Sequence, residues 1–374
     1  MNNYQYWDSK LASQDLGDFS TSEEAKLWLK IHSIAKREVM KGFEERYKDI
    51  VSLSAKKVEE KAKELYSIIN DADIKQWNSR LDTYFYDENK KQFASLDVNK
   101  LEQDLCLIQH FKWGGDQNNS LDKYFVSHYV KAIISYQELK KKIANEALPV
   151  VENYVLASWY NHWTSIVIEH FFKQHKKVLP TIGQVKSIDF IIEGIPFDLK
   201  VTYLPNGQWY QQGVKSHLTS LGLPNSELAC LKKFAKKAKI KYSQIQPNDQ
   251  HYQIRKLLEN NNKTLFDQAI LEIEKIRDAK INYAKTNAKD LARQLYENQS
   301  EGRFGSENRI YLILIDRNDM DNSWEMKRDF KRLKTSINNY LNNFDIKNLD
   351  QMKLTFKYKG KQYSTHADVI FVVK

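Results

Sequence analysis

The chain has only two cysteines in 374 residues, Cys106 and Cys230, and no CxxC pair. That excludes a disulfide framework and the usual zinc spacings, and it fits a reducing compartment, so a cytoplasmic location is expected. Six prolines and 12 glycines leave few interruptions, which favours long helices. No apolar run approaches the roughly 20 residues of a membrane span. The opening MNNYQYWDSKLASQDLG lacks the basic end and apolar centre of a secretory signal. No Walker loop, GxGxxG or HExxH occurs, which leaves no sign of a nucleotide-driven motor or a helix-borne zinc hydrolase. Acidic charge is the minority: 58 Lys and Arg stand against 48 Asp and Glu, a net +10, which favours a polyanionic partner.

What is present divides near residue 150. From about Thr21 to Ala147, stretches such as SEEAKLWLKIHSIAKREVMKGFEERYKDIV repeat their apolar residues at helical spacing, broken near Asp97 and at WGGDQNNS. Residues 1–150 therefore read as an all-α domain for recognition or dimerisation. Beyond Pro149 a long helix, VENYVLASWYNHWTSIVIEHFFKQHKK, leads past VLP into two strands. Helices follow, at LPNSELACLKKFAKKAKIKY and then from about Ile254 to Tyr296. RIYLILID is a short apolar run suited to a buried strand, SWEMKRDFKRLKTSINNYLNNF is a further helix, and KLTFKYKGKQYSTHADVIFVVK holds two or three strands. The fold class is α/β, or α+β: a mixed sheet flanked by helices over 151–374, with a helical insertion at about 223–300.

The two strands carry the chemistry. SIDFIIEGIPFDLKVT reads as a hairpin turning at Glu193-Gly194, yet each apolar strand holds an aspartate. A two-residue loop there puts Asp189 opposite Asp198, with Cβ atoms about 5 Å apart on one face. Alternation places Lys200 and Thr202 on that same face, and Phe197, Leu199 and Val201 on the other. Facing carboxylates repel unless a cation or a shared proton holds them. Two hard oxygen donors suit Mg²⁺, and an ammonium beside them can position a water and meet charge developing on a phosphate.

A helix, a strand with Asp189 in KSIDF, and a strand with Asp198 and Lys200 in PFDLK together resemble the PD-(D/E)xK, or restriction-endonuclease-like, nuclease superfamily. The resemblance implies a restriction-endonuclease-like mixed-sheet core from about Val151 to Lys374. It implies that Asp189 and Asp198 bind Mg²⁺ and that Lys200 assists the nucleophilic water. Many members add an acid from the preceding helix, and Glu169 in IVIEHFF holds that place. Ile188 stands where the family name has Pro, and Asp198 where Glu is commoner.

Other features are supporting. LKKFAKKAKIKY turns Leu231, Phe234, Ala235 and Ala238 to one helical face and Lys232, Lys233, Lys236 and Lys237 outward, suited to phosphate contacts or to plain solvation. GRFGSENR offers Arg303 and Arg309 for backbone contacts. His170 and His175 miss the i, i+4 spacing of zinc helices, and Tyr84-Phe85-Tyr86 suits a core. The expectation is a Mg²⁺-dependent endonuclease acting on double-stranded DNA in the manner of a type II restriction enzyme, as a homodimer and with a companion methyltransferase as a further partner. The alternatives are a defence-system nuclease effector acting on RNA or non-specifically on DNA, and a non-catalytic DNA-binding module.

Overall fold

The computed structural model describes residues 3–13, 15–69, 71–94, 96–109, 124–185, 188–205, 207–298, 307–358 and 361–374. The helices that build most of the packing are, in chain order, α1 (Glu23–Ser33), α2 (Ile74–Ala94), α3 (Leu148–Lys173), α4 (Gln208–Ser220), α5 (Glu227–Lys237), α6 (Gln250–Asn261), α7 (Lys263–Thr286), α8 (Ala288–Asn298) and α9 (Phe330–Asn343). The strands are β1 (Val178–Val185), β2 (Ile188–Ile192), β3 (Ile195–Tyr203), β4 (Arg309–Ile315), β5 (Lys353–Tyr358) and β6 (Lys361–Val373). They form one six-stranded mixed sheet in the order β1-β2-β3-β4-β6-β5, flanked by helices. β1 and β2 are antiparallel, β3, β4 and β6 run parallel, and β5 returns antiparallel to β6. Among the described residues no helix is long and apolar enough to cross a membrane.

The chain forms two compact units. The first comprises Glu23–Ile195 and Trp324–Asn343; the second comprises Asn2–Ser22, Pro196–Ser323 and Phe344–Lys374. The composition change near residue 150 falls inside the first unit, where α3 begins at Leu148 with Pro149 in its first turn. In that unit Trp28, Tyr84 and Phe85 are buried, so the aromatic run at 84–86 serves mainly as core. Phe172 of α3 stacks on Phe190 of β2 with ring centroids 4.6 Å apart, and Phe171 meets Phe330 of α9 edge-on at 5.6 Å.

In the second unit every residue of β4 is buried, as its unbroken apolar run requires of a strand covered on both faces. Tyr311, Ile313 and Ile315 of β4 join a core that includes Phe234 and Ala235 of α5, Phe266 and Ile273 of α7, and Tyr296 of α8.

Three elements differ from the sequence expectation. VLPTIGQV, which the sequence reading left without an element after the long helix, is strand β1; Pro180 is tolerated because β1 lies at the sheet edge, and the register shifts between Pro180 and Val185. QWYQQGVKSHLTS forms α4, where a Cβ at Gly213 would overlap the Tyr283 hydroxyl. SWEMKRDFKRLK divides into a 3₁₀ segment ending at Arg328 and helix α9, whose start is capped by the Asp329 carboxylate accepting from the Arg332 N–H at 3.1 Å.

Candidate active site

The turn between β2 and β3 is built as the sequence suggests. Glu193 and Gly194 both have positive φ, 46° and 87°, the signature of a type I′ turn, whose twist matches two paired strands. A glutamate at φ 46° is uncommon; Gly194 carries its conformation at no steric cost.

Asp198 lies in β3 and is 4% exposed. Its Oδ1 accepts from the Lys200 Nζ at 2.6 Å, because residues two apart on a strand project to one face. Its Oδ2 accepts from the Arg309 Nε at 3.0 Å. Arg309 is the register partner of Asp198 across the parallel β3–β4 pair, so its position follows from the sheet. Phe197 turns to the other face and meets Phe344, with ring centroids 6.1 Å apart.

The polar chain continues inward. Arg309 Nη2 donates to Glu307 Oε1 at 2.5 Å. The Asp198 and Glu307 carboxylates thus take neighbouring donors of one guanidinium, which bridges a pair of acids that would otherwise repel, with Lys200 supplying the second positive charge. Arg309 is 6% exposed and Glu307 2%, whereas the Lys200 side chain keeps 38% of its surface in solvent. Burial alone disfavours the Arg309 charge; Tyr311, Tyr296, Glu307 and Asp198 around it more than compensate and raise its pKa above the ordinary arginine value. The guanidinium also lies over the Tyr296 ring at 4.3 Å.

The segment entering β4 is fixed from several sides. The Glu307 carbonyl accepts from the Tyr296 hydroxyl at 3.0 Å and the Thr365 hydroxyl at 2.6 Å. Asn308 donates to Ser20 Oγ and to the Pro196 carbonyl, both at 3.0 Å, and its Oδ1 accepts from the His366 N–H at 3.1 Å. Glu307 Oε2 is buried and, among the described residues, has no hydrogen-bond partner. A buried carboxylate oxygen without a donor is a costly state that invites a water or a cation.

Asp189 lies in β2, in the first unit, and is half-buried; its backbone carbonyl accepts from the Thr181 hydroxyl at 2.7 Å. Glu169, on α3 in the same unit, pairs with Lys173 one turn on, at 3.1 Å. Lys232, Lys233, Lys236 and Lys237 lie on α5, whose Leu231, Phe234 and Ala235 are buried as the helical spacing suggests. Lys233 pairs with Glu272 at 2.6 Å, and Lys237 lies over the Phe234 ring at 4.9 Å. Arg303 lies outside the described residues. His170 is buried, with its ring stacked on Phe93 at 3.7 Å; desolvation pushes its pKa down to about 4. Among the described residues, no group of three or more His, Cys, Asp or Glu side chains is placed to hold a metal ion.

Sequence reading offered Arg309, in a loop, for nucleic-acid backbone contacts or for none, and gave Glu307 no role; in the structure both belong to the polar chain behind Asp198. The available signal was the alternation in ENR, which puts an acid and a base on one face just ahead of an apolar strand. Compared with family models, curated proteins and solved structures, the chain matches none.

Proposed function

We propose that the protein is a Mg²⁺-dependent endonuclease that hydrolyses phosphodiester bonds of double-stranded DNA, in the manner of a type II restriction enzyme. The observation that carries this reading is the Asp198–Lys200 pair: a buried carboxylate and a partly solvated ammonium at 2.6 Å on one strand face. The positive φ of both Glu193 and Gly194 supports the two-residue loop from which the sequence reading of this hairpin starts.

The residues fit a hard divalent ion in kind. A carboxylate offers about four lone-pair positions, of which Lys200 and Arg309 take two on Asp198, and Glu307 Oε2 is a further oxygen without a donor. Asp189 and Asp198 would hold the ion, with Glu169 as an additional acid. When bound, Mg²⁺ supplies a more acidic water and neutralises phosphate charge. Lys200 orients the attacking water and stabilises negative charge growing on the phosphate. Arg309 holds the Asp198 carboxylate in place. The lysines of α5 meet backbone phosphates without reading bases.

A second reading has its own observation. Arg309 already pairs with both Asp198 and Glu307, as in a protein whose acids are structural, and that favours a non-catalytic DNA-binding module.

Incubation with supercoiled plasmid in Mg²⁺, and in EDTA, separates these readings. Discrete Mg²⁺-dependent fragments support the restriction-type enzyme. A smear, or cleavage of RNA, supports a defence effector instead. Binding without cleavage under any divalent ion leaves the module.

A further inference from the structure

The four charged groups of the polar chain differ in how freely they can move. Arg309 is enclosed: it is 6% exposed, bonded to two acids, and stacked on Tyr296. Glu307 is anchored through its backbone by Tyr296 and Thr365. Lys200 is the outer member, with a flexible stem, a partly solvated head and a hydrogen bond to Asp198 Oδ1. One Asp198 oxygen is therefore held by an enclosed group, and the other by a partly solvated one.

We infer that Arg309, braced by Glu307, is the positioning residue of the site, and that a divalent cation reaches Asp198 by displacing the Lys200 ammonium from Oδ1. This rests on the nuclease reading and adds an order of events to it. Lys200 and Arg309 together balance Asp198 and Glu307. With a cation at Oδ1, Lys200 would no longer have to neutralise Asp198. The released ammonium, still on the same strand face, becomes available to a water or a phosphate oxygen. The exchange breaks one hydrogen bond, forms metal–carboxylate contacts, and needs no change at Arg309.

The inference makes a counter-intuitive prediction: removing the lysine should improve metal binding. Titration calorimetry with Mn²⁺ on the full chain without DNA is the readout, so cleavage is not required. Lys200→Ala should bind Mn²⁺ about tenfold more tightly than the native protein, the size expected when a competing charge-assisted hydrogen bond is lost. Lys200→Gln should fall between the two. Glu307→Gln keeps an acceptor for Arg309 but strips its countercharge. Arg309 then bears more strongly on Asp198, and Mn²⁺ binding should weaken several-fold with the fold intact by circular dichroism.

Native protein that cuts DNA, with Lys200→Ala binding Mn²⁺ no more tightly than native, would overturn the exchange and leave the nuclease reading standing. Absence of Mn²⁺ binding in both proteins, with no cleavage, would remove both. Unchanged or tighter binding in Glu307→Gln would overturn the positioning role.

Discussion

Replacing Arg309 by Met tests whether the polar chain is as enclosed as its geometry indicates. The substitution keeps an unbranched apolar side chain against Tyr296 but removes the donors to Asp198 and Glu307. Asp198 retains Lys200; Glu307, 2% exposed, is left with no ion-pair partner among the described residues for a carboxylate whose other oxygen has none there either. Removing one member of a buried ion pair costs about 3–5 kcal/mol, because the remaining charge stays desolvated. For a unit of this size that corresponds to a fall of roughly 6–20 °C in Tm. Urea unfolding followed by circular dichroism would measure the loss, with guanidinium chloride avoided because its salt masks the charges. Adding Glu307→Gln to Arg309→Met should recover much of the loss, since it removes the orphaned charge. A loss below about 1 kcal/mol, or no recovery in the double variant, would refute the claim that the network is buried and charge-balanced.

Other consequences can be measured separately. Lys200→Ala should abolish DNA cleavage and cost only about 1–1.5 kcal/mol of stability, because one end of its ion pair is partly solvated; retained cleavage would move the catalytic role elsewhere. Glu193→Asn should stabilise the protein by about 0.5–1 kcal/mol, since Asn accepts positive φ more readily, whereas Gly194→Val should destabilise it and impair cleavage; urea midpoints check both. His170 adds a pH dependence. Its folded pKa, near 4, lies below the value near 6.5 of an exposed imidazole, so the unfolded chain binds the extra proton between these values. Stability is therefore lost as pH falls from about 6.5 towards 4, and His170→Gln should flatten that part of the profile. A variant profile identical to the native one would show that the imidazole does not titrate this way.

The sheet and its surroundings were legible where the signal is local. Glu193-Gly194 between two apolar runs announces a tight turn, and both residues adopt the required positive φ. RIYLILI, a run without polar interruption, becomes a strand buried throughout. The amphipathic spacing of LKKFAKK puts Leu231, Phe234 and Ala235 inward. β1 was hidden because Pro180 and Gly183 read as breakers, although a sheet edge tolerates both. α4 was hidden because a glycine interrupts its period, for a reason that lies in Tyr283, far along the chain.

The candidate site shows the same division. Lys200 beside Asp198 follows from strand alternation alone. Arg309, 111 residues away, reaches Asp198 only through a parallel pairing whose register no local pattern encodes. Glu307 follows Arg309 for the same reason. Two of the four charges in the chain could therefore be read from sequence, and the two that fix their orientation could not.

Whether Asp189 and Asp198 share one divalent ion is tested most directly by an anomalous-scattering map of crystals soaked in Mn²⁺. The prediction is a single strong peak within about 2.3 Å of one oxygen from each aspartate, with the Lys200 ammonium withdrawn from Asp198. A map with no peak between them, and Lys200 still bonded to Asp198 in crystals of protein that cuts DNA, would contradict it.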